Sequence, residues 1–161
     1  MIIVSDTSCL CYLARLNLES VLEAMYGHVI VPPAVAAELL AGVSIHPEID
    51  RVLHVPWLEI RTLQNPPQPS EFPRNIDAGE AEAIRLAEEM DAEYLLIDDA
   101  AGRRLARSKN IPIIGLLGVL SEARDAKLIP SLRPVYEKLM NNLGFHASRH
   151  IIEAILEEHG E

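Results

Sequence analysis

Two short apolar segments of the sequence end on acidic residues. Residues 2–5, I-I-V-S, are followed by Asp6, and residues 94–97, Y-L-L-I, are followed by Asp98 and Asp99. A single Asp in such a place commonly caps the next helix, because its side chain accepts hydrogen bonds from free N–H groups of the first turn. If the two segments are neighbouring strands of a parallel sheet, however, their carboxylates can meet at one edge. Carboxylates that close repel each other, so either Lys and Arg side chains or a divalent cation must compensate. If it is a metal, a hard cation such as Mg²⁺ or Mn²⁺ suits oxygen ligands better than a soft one.

Two predicted helices supply further acids. Glu38 lies on or beside the apolar stripe of its helix, P-A-V-A-A-E-L-L-A, and a buried acid needs a partner. Glu80 stands one turn before an apolar residue of G-E-A-E-A-I-R-L-A, which points it toward the sheet. Glu82 shares its helix face with Arg85 and Glu89, and we predict that this face is solvated. Glu80 is therefore the stronger site candidate of the two.

Strands and helices alternate along the chain. Apolar runs predict strands at 2–5, 28–31, 57–63, 94–97 and 111–114, and periodic segments predict helices at 9–16, 18–26, 32–41, 79–90, up to about 110, and from about 116. The proline-rich residues 64–75 can only form a loop. This order predicts a three-layer α/β/α fold with a central, mainly parallel sheet. Two more helical segments, 131–143 and 148–158, predict a helical extension over about 131–161 of a single domain that spans 1–161.

Composition limits the classes of function. The chain has 161 residues, 49% of them hydrophobic, which is enough for one domain with its own core. Its formal net charge of −10 argues against a broad basic surface for nucleic acid. Cys9 and Cys11 are too close in sequence to crosslink a fold and lack zinc-ligand spacing, so we expect reduced, buried thiols in a cytoplasmic protein. No apolar run approaches the length of a membrane span.

Four motifs occur in an order that is typical of one family. They are V-S-D-T-S, P-P-A-V-A-A-E-L, G-E-A-E-A-I-R-L-A, and L-L-I-D-D followed by R-R-L-A. This arrangement resembles the PIN-domain superfamily of metal-dependent ribonucleases, and in particular prokaryotic PIN-like proteins related to toxin nucleases of the VapC type. The resemblance runs from residue 1 to about residue 130.

The resemblance implies a set of site residues. It assigns Asp6, Glu38, Glu80 and Asp99 as catalytic acids, and these four together with Asp98 as metal ligands. Thr7 or Ser8 matches the small hydroxyl residue that orders the first acid. Glu80 stands where the family usually has Asp, Ile97 replaces a usual hydroxyl residue, and a further acid is absent from residues 100–102.

The function that the resemblance implies is hydrolysis of RNA phosphodiester bonds with Mg²⁺ or Mn²⁺. Arg103, Arg104 and Arg107, with Thr7 and Ser8, would supply local contacts to the RNA, although a solvated helix face is an equally good interpretation of the arginines. The expected partners are RNA, an antitoxin-like protein if the chain is a toxin, and a second copy of itself. The homodimer is expected because the two C-terminal segments carry Leu139, Leu143, Ile151, Ile152, Ile155 and Leu156.

Two other functions remain open at the sequence level. A PIN-like binding or regulatory module could keep this fold without activity, and the departures at Glu80 and Ile97 favour that alternative. A phosphohydrolase with Asp6 as nucleophile is less well supported, because it would want a second Asp two residues later and a well-placed Lys. The first lysine of the chain is Lys109.

Overall fold

The computed structural model describes residues Met1–Glu161 and contains one five-stranded sheet. Its strands are β1 (Ile3–Ser5), β2 (Val29–Val31), β3 (Leu58–Ile60), β4 (Tyr94–Leu96) and β5 (Ile113–Ile114). Every pairing is parallel, and the strand order is β3-β2-β1-β4-β5. The predicted α/β fold with a central parallel sheet is confirmed.

Nine α-helices and one 3₁₀ turn connect and follow the strands. The α-helices are α1 (Thr7–Arg15), α2 (Ser20–Tyr26), α3 (Pro33–Gly42), α4 (Asp50–Leu53), α5 (Ala78–Met90), α6 (Ala100–Ser108), α7 (Leu116–Asp125), α8 (Arg133–Asn141) and α9 (Arg149–Glu158), and the 3₁₀ turn spans Pro47–Ile49. The predicted helices agree with these bounds to within a few residues. The 3₁₀ turn and α4 were not predicted, because segments this short do not establish a helical period.

Two of the three interior strands, β1 and β2, are buried on both faces. All residues of β1 and β2 are buried, and successive side chains of a strand point to opposite faces. Helices therefore cover both sides of the sheet, which is the usual requirement of parallel strands. The edge strand β3 is partly exposed and shorter than the predicted 57–63, since regular pairing with β2 ends at Ile60 opposite Val31.

The chain divides into two compact units, Met1–Leu116 and Leu117–Glu161. The first contains the whole sheet and helices α1 to α6. The predicted extension at 131–161 falls within the second, which also holds nearly all of α7. None of the helices has the length and apolar character that a membrane span requires.

In the second unit, the side chain of Glu161 holds the beginning of α8. Its carboxylate accepts hydrogen bonds from the backbone N–H groups of Leu132 (2.9 Å) and Arg133 (3.1 Å), and from the hydroxyl of Ser131. These donors, first among them the Leu132 N–H, lower the pKa of Glu161 to about 2.

Much of the apolar surface that suggested a homodimer is buried within the chain. Leu139, Ile152 and Leu156 are buried, and Ile151 is the apolar residue of α9 that stays half exposed, at 51%. The exposed apolar surface that supported a homodimer is therefore smaller than the sequence suggested, and the homodimer stays a prediction.

Candidate active site

The strand order brings the ends of β1 and β4 together at the middle of the sheet. β1 pairs with β2 on one side and with β4 on the other, so the chain reverses its direction of travel across the sheet between β3 and β4. In open parallel sheets, the crevice outside the carboxyl ends of the strands at such a reversal is the usual place for a ligand. The backbone N–H of Asp6 donates to the carbonyl oxygen of Leu96, 2.9 Å away. The condition for a shared site, that the two strands are neighbours, is met.

Asp6 is a buried acid that stands at the beginning of α1 without capping it. It follows β1 directly, only 5% of it is exposed, and its side chain makes no capping hydrogen bond to the helix. Burial raises its pKa from 3.8 to about 7; donation from the Thr7 backbone N–H lowers this pKa, and repulsion from the carboxylates of Asp77, Glu38 and Asp98 raises it. Asp6 is therefore a buried acid on which the charges of three other carboxylates act.

Glu38 reaches the site from α3 and is held by two neighbours. The hydroxyl of Thr7 donates a short hydrogen bond to its Oε2. Gly79, at the beginning of α5, leaves the space that the carboxylate occupies, since a Cβ added there would come within 2.6 Å of Glu38 Oε1. A side chain at residue 79 would have to displace Glu38 from its position beside Asp6.

Glu80 enters the site from the first turn of α5. It is 8% exposed, in agreement with the prediction that it points inward. Its Oε2 accepts from the backbone N–H of Asp77 (3.2 Å), and Asp77 Oδ1 accepts from the backbone N–H of Glu80 (2.8 Å), which is a capping box. Burial, then repulsion from Asp77, Asp99 and Asp6, raises the pKa of Glu80 to about 8, while the bond from the Asp77 N–H lowers it.

Asp77 is a site acid that the sequence reasoning missed. Its negative charge acts on both Asp6 and Glu80, so its carboxylate lies near both of them. The signal was available: D-A-G-E has an Asp three residues before a Glu at the beginning of an apolar helix, and this spacing is the signature of a capping box.

The two acids after β4 take different positions. Asp99 caps α6, since its Oδ2 accepts from the backbone N–H of Gly102 (2.9 Å), and its charge acts on Glu80. Asp98 turns to the beginning of α7, where both of its oxygens accept from the backbone N–H of Leu116 (3.1 and 3.2 Å). Burial raises the pKa of Asp98, whereas the Leu116 N–H and the charge of Arg103 lower it.

A family model described as PIN domain (DUF3368) matches residues 2–161. The chain belongs to the PIN-domain family. PIN domains are generally nucleases, so the match supports a hydrolase of nucleic acid at that coarse level. A search of the curated proteins found no match.

Two solved structures resemble this PIN domain. One is a PilT N-terminus domain protein of the hyperthermophilic archaeon Sulfolobus solfataricus P2, with 19% identity, a TM-score of 0.56, and coverage of 76% of this chain and 93% of that one. The other is a domain of a functionally unknown protein of Methanocaldococcus jannaschii, with 20% identity, a TM-score of 0.48, and coverage of 71% and 89%. At these identities, the first structure supports the fold alone.

The residues predicted to contact RNA have separate surroundings in this PIN domain. Thr7 is engaged with Glu38, and Ser8 is partly exposed beside it. Arg103 folds back on the end of β4, where its Nη1 donates to the carbonyl oxygen of Ile97 (2.9 Å). Arg104 and Arg107 are exposed. Arg103 thus supports the β4 end of the site, and the two exposed arginines keep their predicted role as a hypothesis.

The face of α5 that was predicted to be solvated is half-buried, and its side chains have specific partners. Glu82 Oε1 accepts from the backbone N–H of Ala34 (3.0 Å), in the first turn of α3, so this side chain joins two helices. Arg85 and Glu89 fix the proline-rich loop: Arg85 Nη1 donates to the Asn65 carbonyl oxygen (2.6 Å), and Glu89 accepts from the Asn65 N–H (2.7 Å). A helical wheel could not show this, because the partners come from distant segments.

The candidate ligands of the PIN domain are of the type that a hard divalent cation prefers, but they are not grouped closely enough to coordinate one. No three His, Cys, Asp or Glu side chains are grouped so that they could hold one metal ion. The side chains that act on Asp6 nevertheless offer only carboxylate oxygens, the ligands that Mg²⁺ and Mn²⁺ prefer. Their mutual repulsion contributes to the raised pKa values of Asp6 and Glu80, and a cation among them would remove that repulsion.

Proposed function

We propose that this PIN domain is a metal-dependent endoribonuclease that hydrolyses phosphodiester bonds in RNA. The observation that carries the proposal is the gathering of carboxylates from separate segments at the reversal point of the sheet, where burial and repulsion raise the pKa of Asp6 to about 7 and of Glu80 to about 8. Folding alone would not favour such a cluster. A cation site for phosphate chemistry gives it a use.

In the proposed site, Asp6, Glu38, Glu80 and Asp99 hold Mg²⁺ or Mn²⁺, with Asp98 as a further ligand. The bound metal would supply a water of lowered pKa and stabilise the charge that develops on the phosphate. The chain's own residues do the positioning: the Thr7 hydroxyl holds Glu38, and the Asp77 N–H orients Glu80. We add Asp77 to the candidate ligands, because its carboxylate acts on both Asp6 and Glu80.

The first test is cleavage of a mixed RNA pool with Mn²⁺ or Mg²⁺. Wild type should cut, and Asp6→Asn should not. Calorimetric titration with Mn²⁺ should show binding by wild type and weaker binding by Asp6→Asn. Equal binding by both proteins, or binding by neither, would contradict the proposal.

Glu80 offers a sharper comparison within the same assay. Glu80→Gln keeps an oxygen to accept from the Asp77 N–H, so the capping box can survive while the charge is lost. We expect this variant to fold and to lose most cleavage, whereas Glu80→Asp keeps a carboxylate and some activity. The matched control is Glu88→Gln, because Glu88 is exposed near the end of the same helix and its loss of charge should change cleavage little. The opposite pattern would show that the proposed ligand is misplaced.

A PIN-domain binding or regulatory module without activity is the second candidate. It is favoured by the absence of an assembled metal-ligand group and by Asp98, whose two oxygens already accept from the Leu116 N–H. Absence of cleavage by wild type with either metal would support this alternative. A phosphohydrolase with Asp6 as nucleophile has less support, since Lys109 pairs with Glu88 at 3.4 Å on the surface of α5.

A toxin role is a further hypothesis about the same activity, directed at cytoplasmic RNA. Expression of the chain in a bacterial host should then stop growth, and Asp6→Asn should not. Co-expression of a small DNA-binding protein encoded beside its gene should restore growth. Growth that continues despite active, soluble protein would argue against a toxin.

A further inference from the structure

A cavity of about 320 Å³ opens beside the acid cluster, between the proline-rich loop and the first turns of α5. Asp77 belongs to both, since it lines the cavity and acts electrostatically on Asp6 and Glu80. A strand whose phosphate lies at the acid cluster would therefore bring a neighbouring nucleotide to the mouth of this cavity. Its volume is at the lower end for small-molecule sites and suits one nucleobase.

The lining combines apolar walls with polar and charged side chains. Phe72, Ile76 and three prolines supply apolar surface, Gln68 adds an amide, and Arg74 adds a positive charge on the loop side. On the α5 side, Ala78, Ala81 and Glu82 lie three and four residues apart and share one helix face. Together with Asp77, Glu82 makes this side of the cavity acidic, so that it disfavours phosphate and favours a group that donates hydrogen bonds.

The cavity is formed before any ligand enters. Arg85 of α5 bonds both the Asn65 carbonyl oxygen and the Glu71 carboxylate of the loop. The centre of the Phe72 ring lies 5.8 Å from the Arg85 guanidinium and 5.9 Å from the Lys109 ammonium. A loop fixed in this way pays little ordering entropy when a ligand binds.

We propose that this cavity is a base-specificity pocket that accepts one unstacked nucleobase of single-stranded RNA, with guanine preferred. Unstacked bases are commonly recognised through apolar contacts to their faces and hydrogen bonds to their edges. Guanine presents N1–H and its 2-amino group side by side, two donors that match a carboxylate. Uracil presents one N–H between two carbonyl oxygens, and a carboxylate repels those two oxygens. The role of this pocket in cleavage depends on the proposed ribonuclease activity, whereas the binding of a nucleobase to the pocket does not.

Binding of the four unphosphorylated ribonucleosides to the full chain in EDTA separates the pocket from the nuclease. These ligands have no phosphodiester and need no metal. Ligand-observed NMR titration should show guanosine binding at least about fivefold more tightly than uridine, the factor that corresponds to the low end of specific base recognition. Equal binding of all four nucleosides, or no binding at millimolar concentration, would overturn the proposal.

Ala78→Leu tests the place of binding. Ala78 is exposed at the first residue of α5, so a larger side chain can fill the cavity without entering the core, and guanosine affinity should fall at least about fivefold. Ala101→Leu is the matched control, because Ala101 stands in the first turn of α6 and lines a different cavity. Equal losses in the two variants would refute the assignment.

Glu82→Gln tests the chemistry if Ala78→Leu does not fold. The variant retains an acceptor for the Ala34 N–H but converts one acceptor of the cavity into a donor, so the preference for guanosine over uridine should shrink or reverse. An unchanged preference would contradict an acidic wall as its source. If wild type cleaves RNA without regard to neighbouring guanine and does not bind guanosine, the pocket is refuted and the nuclease stands. If wild type binds guanosine but does not cleave RNA, the nuclease is refuted and the pocket stands.

Discussion

Replacing Asp6 with Asn should stabilise the metal-free protein, and the gain should grow with pH. The pKa of Asp6 is raised from 3.8 to about 7 in the folded state. Below the lower value, the carboxyl is protonated in both folded and unfolded chains. As the pH rises toward 7, the unfolded chain releases the proton more readily, so this group lowers the free energy of unfolding until the folded state releases it too. Asn carries no such penalty.

The size of the effect follows from the same shift. Each pKa unit corresponds to about 1.36 kcal/mol, so the buried charge costs at most about 4 kcal/mol at pH 8. Relaxation of the site reduces this figure, and we expect Asp6→Asn to gain about 1 to 3 kcal/mol at pH 8 and clearly less at pH 5. For a chain of this size, 1 kcal/mol corresponds to roughly 2 to 4 °C in Tm.

Urea unfolding in EDTA at pH 5, 6, 7 and 8 measures this dependence. The single tryptophan, Trp57, is 6% exposed and lies in the same compact unit as Asp6, so its fluorescence reports on the correct part of the chain. Asp91→Asn is the matched control, because Asp91 is exposed and its left-handed backbone, φ 49°, also suits Asn. A gain that is the same at every pH, or a loss at pH 8, would refute the reasoning.

Three further predictions concern other parts of the chain. Gly79→Ala should weaken Mn²⁺ binding in calorimetry, because the added Cβ displaces the Glu38 carboxylate, whereas Gly42→Ala should not; equal effects would contradict this role. The pKa of Glu161 is lowered to about 2, so the stability that its charge contributes is present above about pH 4.5 and is lost as the pH falls toward 2. Protection of the α8 amides from hydrogen exchange should therefore fall over that pH range in wild type, and it should fall less in Glu161→Gln. Light scattering should give a dimer mass at tens of micromolar, and a monomer mass would end that expectation.

The sequence was most informative where the structure depends on neighbouring residues. Asp6 directly follows β1 and Asp99 stands three residues after the end of β4, and the inward direction of Glu80 follows from the helical period, so all three could be placed from local patterns. The adjacency of β1 and β4 could not, because these strands are about 90 residues apart in the chain and only the topology of the whole sheet pairs them.

The surroundings of Glu82, Arg85 and Glu89 on α5 could not be predicted for the same physical reason. Glu82 was assigned to solvent because its own helix offers no reason for burial, yet the N–H that it accepts from belongs to Ala34, in another helix. Arg85 and Glu89 are occupied by a loop whose path the sequence does not reveal. Asp77 was missed for a different reason: its capping box with Glu80 is local, but it lies at the end of a proline-rich segment that gave no other helical signal.

Helix capping and backbone hydrogen bonds at helix starts explain four of the acids at this site but do not explain Asp6. Asp99 caps α6, Asp77 and Glu80 cap α5, and Asp98 accepts from the first residue of α7, so each of these carboxylates contributes to the fold. Asp6 stands in the capping position of α1 but makes no capping bond, and burial near other acids raises its pKa to about 7. Asn or Ser, which are equally common at this position of a helix, would occupy it without a buried negative charge. An acid that the fold disfavours, at the point where parallel sheets bind ligands, is what the proposed cation site would require.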